Sequence, residues 1–259
     1  MTIASPTLSP ADAANPSALP APSPLKTASE LSVFLDFDGT LVEIAEHPQG
    51  IVVPPHLPQV LTDLSHRLEG RLAVVSGRSL AMLDAFLGPV PLAMAGSHGG
   101  EFRPAGATEV EALAEPLPEA VRTALASFAK GHGDLVFEAK PFSAAVHYRD
   151  RPQVAEQLLE FATDLATEHA LKVKHGKMVV ELAMPGSDKG SAVTRFMSMS
   201  PFKGSRPLFL GDDVTDEDAF AAVRVFDGSG VLVGPMRLTR ALYRLEDVAA
   251  VHRWLENAV

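Results

Sequence analysis

The sequence predicts an α/β protein: a doubly wound, mainly parallel core whose chain is interrupted by an inserted α+β module. Three observations carry this expectation. Short apolar runs alternate with stretches that hold apolar residues at helical spacing, both before about residue 104 and after about residue 185. Between those positions the alternation gives way to two strands, a helix and two more strands. Finally, the apolar runs of the core end in acids, a hydroxyl or a cation, and ligands of doubly wound sheets sit at the carboxyl ends of their strands. The expected organisation is a tail over 1–28, a core over 29–104 and 185–259, and an inserted cap over 105–184.

The elements follow in chain order. The first 25 residues contain Pro6, Pro10, Pro16, Pro20, Pro22 and Pro24 without Lys, Arg or a continuous apolar stretch, so they read as a disordered tail and not as a signal peptide. Val33 to Leu35 is a buried strand. Leu57, Val60, Leu61, Leu64 and Leu68 share one helical face that Gly70 closes, and Leu72 to Val75 forms the next strand. Leu80, Leu83, Phe86 and Leu87 repeat the helical pattern up to Gly88, and Leu92 to Ala95 is a third strand. Beyond Arg103 a loop is punctuated by Pro104, Gly106, Pro116 and Pro118. Val121, Leu125 and Phe128 then mark a helix, and Val154, Leu158, Phe161 and Leu165 a second one. Strands are expected at Leu135–Ala139, Ala144–Tyr148, Leu171–Lys174 and Met178–Leu182. After Pro185 come a helix bearing Ala192, Val193, Phe196 and Met197, strands at Pro207–Leu210 and Val231–Val233, and a last helix bearing Val248, Val251 and Leu255.

Chemistry concentrates at strand ends. Val33-Phe34-Leu35-Asp36-Phe37-Asp38-Gly39-Thr40 puts two carboxylates two residues apart, which repel unless a cation holds them or one keeps its proton. Mg2+ takes oxygen ligands and usually only one or two carboxylates, the rest of its shell being water and phosphate oxygens. An ionised Asp36 can attack phosphorus, and a protonated Asp38 can supply a leaving oxygen with its proton. The same pentapeptide also suits a solvated turn. A Ca2+ loop is set aside because its twelfth position would be His47 instead of Glu. Ser76, before Gly77 and Arg78, can bind a phosphate oxygen or simply turn the chain from strand to helix. Lys189 can offset charge shared by a phosphate and Asp36. Asp212 and Asp213 fall where a metal ligand and its supporter are needed, and Asp216 suits helix capping and metal support equally.

In this order the four segments resemble the haloacid dehalogenase superfamily, whose Rossmann-like core carries an inserted cap. The phrases are more specific still. Asp-Phe-Asp-Gly-Thr-Leu-Val-Glu-Ile-Ala-Glu-His-Pro from Asp36 to Pro48, Ser76-Gly77-Arg78, Gly-Ser-His-Gly-Gly-Glu from Gly96 to Glu101 and Glu138-Ala139-Lys140 are similar to the trehalose-6-phosphate phosphatase family. So are Val146-His147-Tyr148-Arg149, His175-Gly176-Lys177 with Glu181, and Gly211-Asp212-Asp213-Val214-Thr215-Asp216-Glu217. The resemblance implies a Mg2+-dependent phosphatase with Asp36 as nucleophile, Asp38 as general acid and base, and Ser76 and Lys189 on the phosphate. Asp36, Asp38 through its backbone carbonyl, Asp212 and Asp213 would hold the metal. Substrate would be bound by Gly77, Arg78, His98, Glu101, Glu138, Lys140, Arg149, Lys177 and Glu181. In the cap, which would close over the core's ligand edge, these polar residues also suit the wet face of a sheet. Asp38 argues against a dehalogenase, since a departing halide needs no proton. Two alternatives stay open: a capped phosphatase or phosphomutase for sucrose, hexose or glycosylglycerate phosphates, and a silent sugar-phosphate-binding relative.

Composition agrees. A net charge of −10 argues against nucleic acid as partner, so an anionic substrate must be drawn by local charge. No apolar run approaches the roughly 20 residues of a membrane helix. The absence of cysteine excludes disulfides and thiolate chemistry and fits a cytoplasmic location. The expected partner is a small sugar phosphate, and the expected state is a monomer.

Overall fold

The computed structural model describes residues 19–25, 30–45, 50–176 and 178–259, so His47, Pro48, Lys177 and the tail before residue 19 lie outside the described residues. The chain divides into two units, one comprising residues up to Val110 with Asp188–Val259, the other Glu111–Ser187. Each expected boundary moves by a few residues. Glu101–Arg103 forms an antiparallel strand on the core sheet and the first unit runs on to Val110, while Ser187 Oγ donates to Met184 O at 2.6 Å at the end of the insert.

The first unit contains strands β1 (Leu31–Leu35), β2 (Leu72–Val75), β3 (Ala93–Gly96) and β4 (Glu101–Arg103). The second holds β5 (Glu111–Ala112), β6 (Val136–Ala139), β7 (Ser143–His147), β8 (Lys172–Gly176) and β9 (Val179–Ala183), after which β10 (Arg206–Gly211), β11 (Ser229–Val233) and β12 (Tyr243–Leu245) return to the first. Within the first unit the order is β12-β11-β10-β1-β2-β3-β4. All neighbours are parallel except β3 and β4.

Strand alternation sends the two faces of this sheet to different helices. Val33, Leu35, Val74, Met94 and Leu210 are buried on the side packed with Leu57, Leu61 and Leu64 of α1 (Leu57–Arg67), Leu80 and Leu83 of α2 (Leu80–Leu87), and Val251 and Leu255 of α7 (Val248–Glu256). Phe34 points the other way, its ring 5.8 Å from Phe196 of α5 (Lys189–Met197) and 5.3 Å from Phe202, while Phe209 meets Phe220 of α6 (Glu217–Arg224) at 5.9 Å. Offset and tilted aromatic pairs of this kind add about 1 kcal/mol each beyond their buried area. Helices on both faces make the core doubly wound, as expected.

One expectation is corrected. Within the tail read as disordered, residues 19–25 pack on the first unit: Leu25 is buried, Ser23 O accepts from Trp254 Nε1 at 3.1 Å, and Pro20 O accepts from Arg244 N at 2.9 Å. The prolines that suggested disorder also lower the entropy lost on ordering, so one buried leucine and two hydrogen bonds suffice to dock the segment.

The second unit is a four-stranded antiparallel sheet, β6-β7-β9-β8, with α3 (Glu119–Gly131) and α4 (Ala155–His169). Ala144, Val146, Val180 and Leu182 face Val121, Leu125, Leu158 and Ala162 in its core. The register Glu138↔Ala145↔Glu181↔Lys174 lines polar residues across the opposite face. No helix among the described residues is long and apolar enough to cross a membrane.

Candidate active site

Asp36 is the first residue beyond β1, and its N–H still donates to Leu210 O of β10 at 2.9 Å, which fixes the carboxylate at the carboxyl edge of the sheet. Gly39 turns the chain there at φ +77°. A Cβ on Gly39 would stand 2.2 Å from Asp212 Oδ2, so glycine lets the two acid loops meet. Gly211 does the same for Asp216, whose Cγ would lie 2.3 Å from a Cβ at 211.

Carboxylate oxygens of Asp36, Asp212 and Asp216 lie within 4.8 Å of one another. Lys189, at the start of α5, closes the cluster with 2.6 Å hydrogen bonds from Nζ to Asp36 Oδ1 and to Asp216 Oδ1. Asp36 and Lys189 are 3% exposed and Asp216 fully buried. Burial raises the Asp36 pKa well above the ordinary carboxylate range, and Asp216 and Asp212 push it further, with Lys189 opposing. Asp212 is raised to about 6, first by burial and then by Asp216. Burial works against the charge on Lys189, but Asp216 and Asp36 outweigh it and hold its pKa above the usual lysine value. Fully ionised, three carboxylates and one ammonium leave two uncompensated negative charges in a largely buried cluster. A divalent cation with a preference for oxygen cancels that deficit, so the donor set fits such an ion.

These groups border a cleft of about 510 Å³ lined by Asp36, Asp38, Gly77, Arg78, His98, Lys189, Asp212 and Asp213, together with Ile44, Ala45 and Thr215. Asp38 is engaged by Arg78. Arg78 holds it in a two-pronged pair, Nε to Oδ2 and Nη2 to Oδ1, both 2.7 Å, and both oxygens therefore act as acceptors. Ser76 is fully buried, its Oγ accepts the Arg78 N–H at 3.1 Å as the strand-to-helix turn reading has it, and it is not among the residues lining the cleft. Glu101 accepts from Leu80 N at 2.8 Å and from Ser97 Oγ at 3.1 Å, fastening the loop that carries His98.

The acid loop after β10 is built differently from the expectation. Asp213 caps the turn Val214–Asp216, and Asp216 Oδ2 accepts the Asp213 N–H at 2.9 Å while its Oδ1 binds Lys189. The three-carboxylate cluster thus contains Asp216 where the sequence placed Asp213, and Asp216 combines capping with a place in the cluster. Sequence reasoning missed Arg237 altogether. Its Nε donates to Asp212 O at 3.2 Å, its Nη2 to Asp213 O at 2.6 Å, and its Nη1 pairs with Glu217. No local motif surrounds Arg237, so only the fold reveals that it clamps the backbone of both acids.

In the second unit, Glu138, Lys140 and Glu181 form one polar group. Lys140 Nζ lies 3.7 Å from Glu138 Oε1 and 3.5 Å from Glu181 Oε1, Ser143 Oγ donates to Glu181 at 2.6 Å, and His147 Nε2 is 3.1 Å from Glu138 Oε2. Arg149 is exposed in the turn after β7, outside this group.

Residues 34–247 match the family model described as trehalose-phosphatase. The chain is 39% identical over 241 residues to the trehalose-6-phosphate phosphatase of Escherichia coli K12, covering 90% of each sequence. It is 38% identical to a probable trehalose-phosphate phosphatase of Sinorhizobium fredii, covering 79% of this chain and 78% of the other. Among solved structures, the C-terminal domain of trehalose-6-phosphate phosphatase from C. albicans superposes with a TM-score of 0.76 at 22% identity, over 93% of this chain and 97% of that one.

Proposed function

The chain belongs to the trehalose-phosphatase family, and on that premise we propose that it hydrolyses trehalose 6-phosphate to trehalose and inorganic phosphate through an aspartyl-phosphate on Asp36. The observation that carries the reading is the buried Asp36–Lys189–Asp216–Asp212 cluster opening on a cleft at the carboxyl edge of a parallel sheet.

Asp36, Asp212 and Asp216 would hold Mg2+, which, when bound, offsets negative charge on the carboxylates and on a phosphoryl group. Lys189 fixes Asp36 by Oδ1, which leaves Oδ2 as the oxygen for attack on phosphorus. As the new O–P bond forms, the bond from phosphorus to the sugar oxygen breaks, and that oxygen takes a proton from Asp38. Because Arg78 occupies both oxygens of Asp38, an arriving phosphoryl group must first draw the guanidinium away, after which Asp38 can acquire its proton from solvent. The resulting Asp38 carboxylate then takes a proton from water attacking the aspartyl-phosphate, and phosphate leaves with Asp36 restored. Glu138, Lys140 and Glu181 supply the fixed donors and acceptors that a hydroxyl-rich sugar requires.

Phosphate release from a panel of sugar phosphates tests the reading. Trehalose 6-phosphate is expected to be the best substrate, excess chelator to abolish release, and Asp36→Asn to lose at least 1,000-fold in kcat, on the order expected when a nucleophile is removed, while still binding substrate. Full turnover with chelator, or substantial turnover by Asp36→Asn, excludes this mechanism. A different preferred sugar phosphate excludes this substrate.

A further inference from the structure

A second group of side chains of metal-ligating type lies outside the cleft. His56 stands at the N-terminal cap of α1, and His252 and Glu256 follow each other by four residues on α7, which puts them on one helical face. One ligand atom from each of the three lies within 4.8 Å of the others. His56 Nε2 is 3.3 Å from Glu256 Oε1, and the two imidazoles meet edge to face at 5.8 Å and 82°. The orientation of His252 is the informative detail. Its Nε2 is 2.8 Å from the carbonyl oxygen of Leu41, and since a carbonyl only accepts, Nε2 carries the proton and Nδ1 presents a lone pair. Metal-ligating histidines are held in this way, one nitrogen on the ion and the other donating to a backbone carbonyl.

We propose that His56, Nδ1 of His252 and Glu256 form a Zn2+ site with its fourth position open to water. Tetrahedral Zn2+ at about 2.0–2.1 Å from its ligands spaces them about 3.3 Å apart, which the His56–Glu256 pair already matches. The side chains of His56 and Glu256 are 55% and 47% exposed, free to swing the remaining distance. A surface ion pair explains His56 with Glu256 but not the tautomer fixed on His252. Donor chemistry separates this site from the cleft: two imidazoles and a carboxylate suit Zn2+, whereas the all-oxygen cluster suits Mg2+.

Calorimetric titration of Zn2+ into the full-length Asp212→Asn protein, in excess Mg2+, tests the site without competition from an intact acid cluster. One Zn2+ is expected to bind in the micromolar range, and adding His56→Ala or Glu256→Gln is expected to weaken it at least tenfold. Bound Co2+ is expected to show the strong visible absorption of a four-coordinate ion, lost in the same variants. In the otherwise native chain, His56→Ala and Glu256→Gln should leave Mg2+-dependent phosphate release and the urea midpoint unchanged, which separates lost ligation from lost folding. Failure of Asp212→Asn to bind Zn2+, or an affinity indifferent to both substitutions, overturns the proposal.

Discussion

Asp212 shows how the site stores unfavourable charge. Its pKa is raised from 3.8 to about 6, chiefly by burial and then by Asp216. Between those values the unfolded chain ionises Asp212 while the metal-free folded protein keeps the proton. The folded state then binds more protons, and stability falls as pH rises through the window, levelling above about 6. A shift of this size corresponds to on the order of 1–3 kcal/mol once partial exposure is allowed for. In chelator, Asp212→Asn is therefore expected to be more stable than the parent at pH 7 and nearly equal at pH 3.5, with Asp36 retaining part of the pH dependence. Urea midpoints at pH 3.5, 5 and 7 check this, and a parent whose metal-free stability climbs between pH 4 and 6 would contradict it. Saturating Mg2+ is expected to reverse the order at pH 7, because an ion bound as proposed favours the ionised form that burial penalises.

At the scale of elements, the buried strands were legible and the clamps between loops were not. β1, β2 and β10 announce themselves as apolar runs because both faces of a parallel sheet are covered, and their terminal acids and serine mark the ligand edge. β4 and β12 are three residues long and mix arginine with apolar side chains, too short for any periodicity to register. The paired acids Asp36 and Asp38 stand out by their own spacing, whereas the presence of Asp216 in the carboxylate cluster depends on the turn Val214–Asp216 and its reciprocal cap. Arg237 was invisible because it works through the carbonyls of Asp212 and Asp213, and carbonyls leave no trace in sequence. Arg237→Ala is expected to lower kcat about 10–100-fold and to raise the Mg2+ concentration needed for half-maximal activity, with Arg237→Lys restoring little because only a guanidinium can span both carbonyls and Glu217. Activity measured across a Mg2+ series decides it. An unchanged Mg2+ requirement would reassign Arg237 to folding alone.

Across the whole molecule, two units with separate apolar cores divide the groups that the proposed function assigns to chemistry from the sheet face that it assigns to the sugar. The first carries the Asp36–Lys189–Asp212–Asp216 cluster, and the second carries a polar sheet face, with no acid cluster of metal-holding geometry among its described residues. Such a division predicts that the two functions fail independently. In the second unit, Lys140 lies between Glu138 and Glu181, and the side chain of Glu138 is 47% exposed, so removing it leaves that unit's apolar core untouched. A site built from fixed donors and acceptors loses affinity for a hydroxylated substrate when one is deleted, while a substrate without those hydroxyls is unaffected. Glu138→Ala is therefore expected to raise KM for trehalose 6-phosphate about tenfold, the order of one lost charged hydrogen bond. Hydrolysis of a small aryl phosphate should stay within about twofold of the parent, since losing a contact the substrate never makes costs little. Steady-state kinetics on both substrates separate the possibilities: equal loss on both would move Glu138 from recognition to the chemistry or the fold.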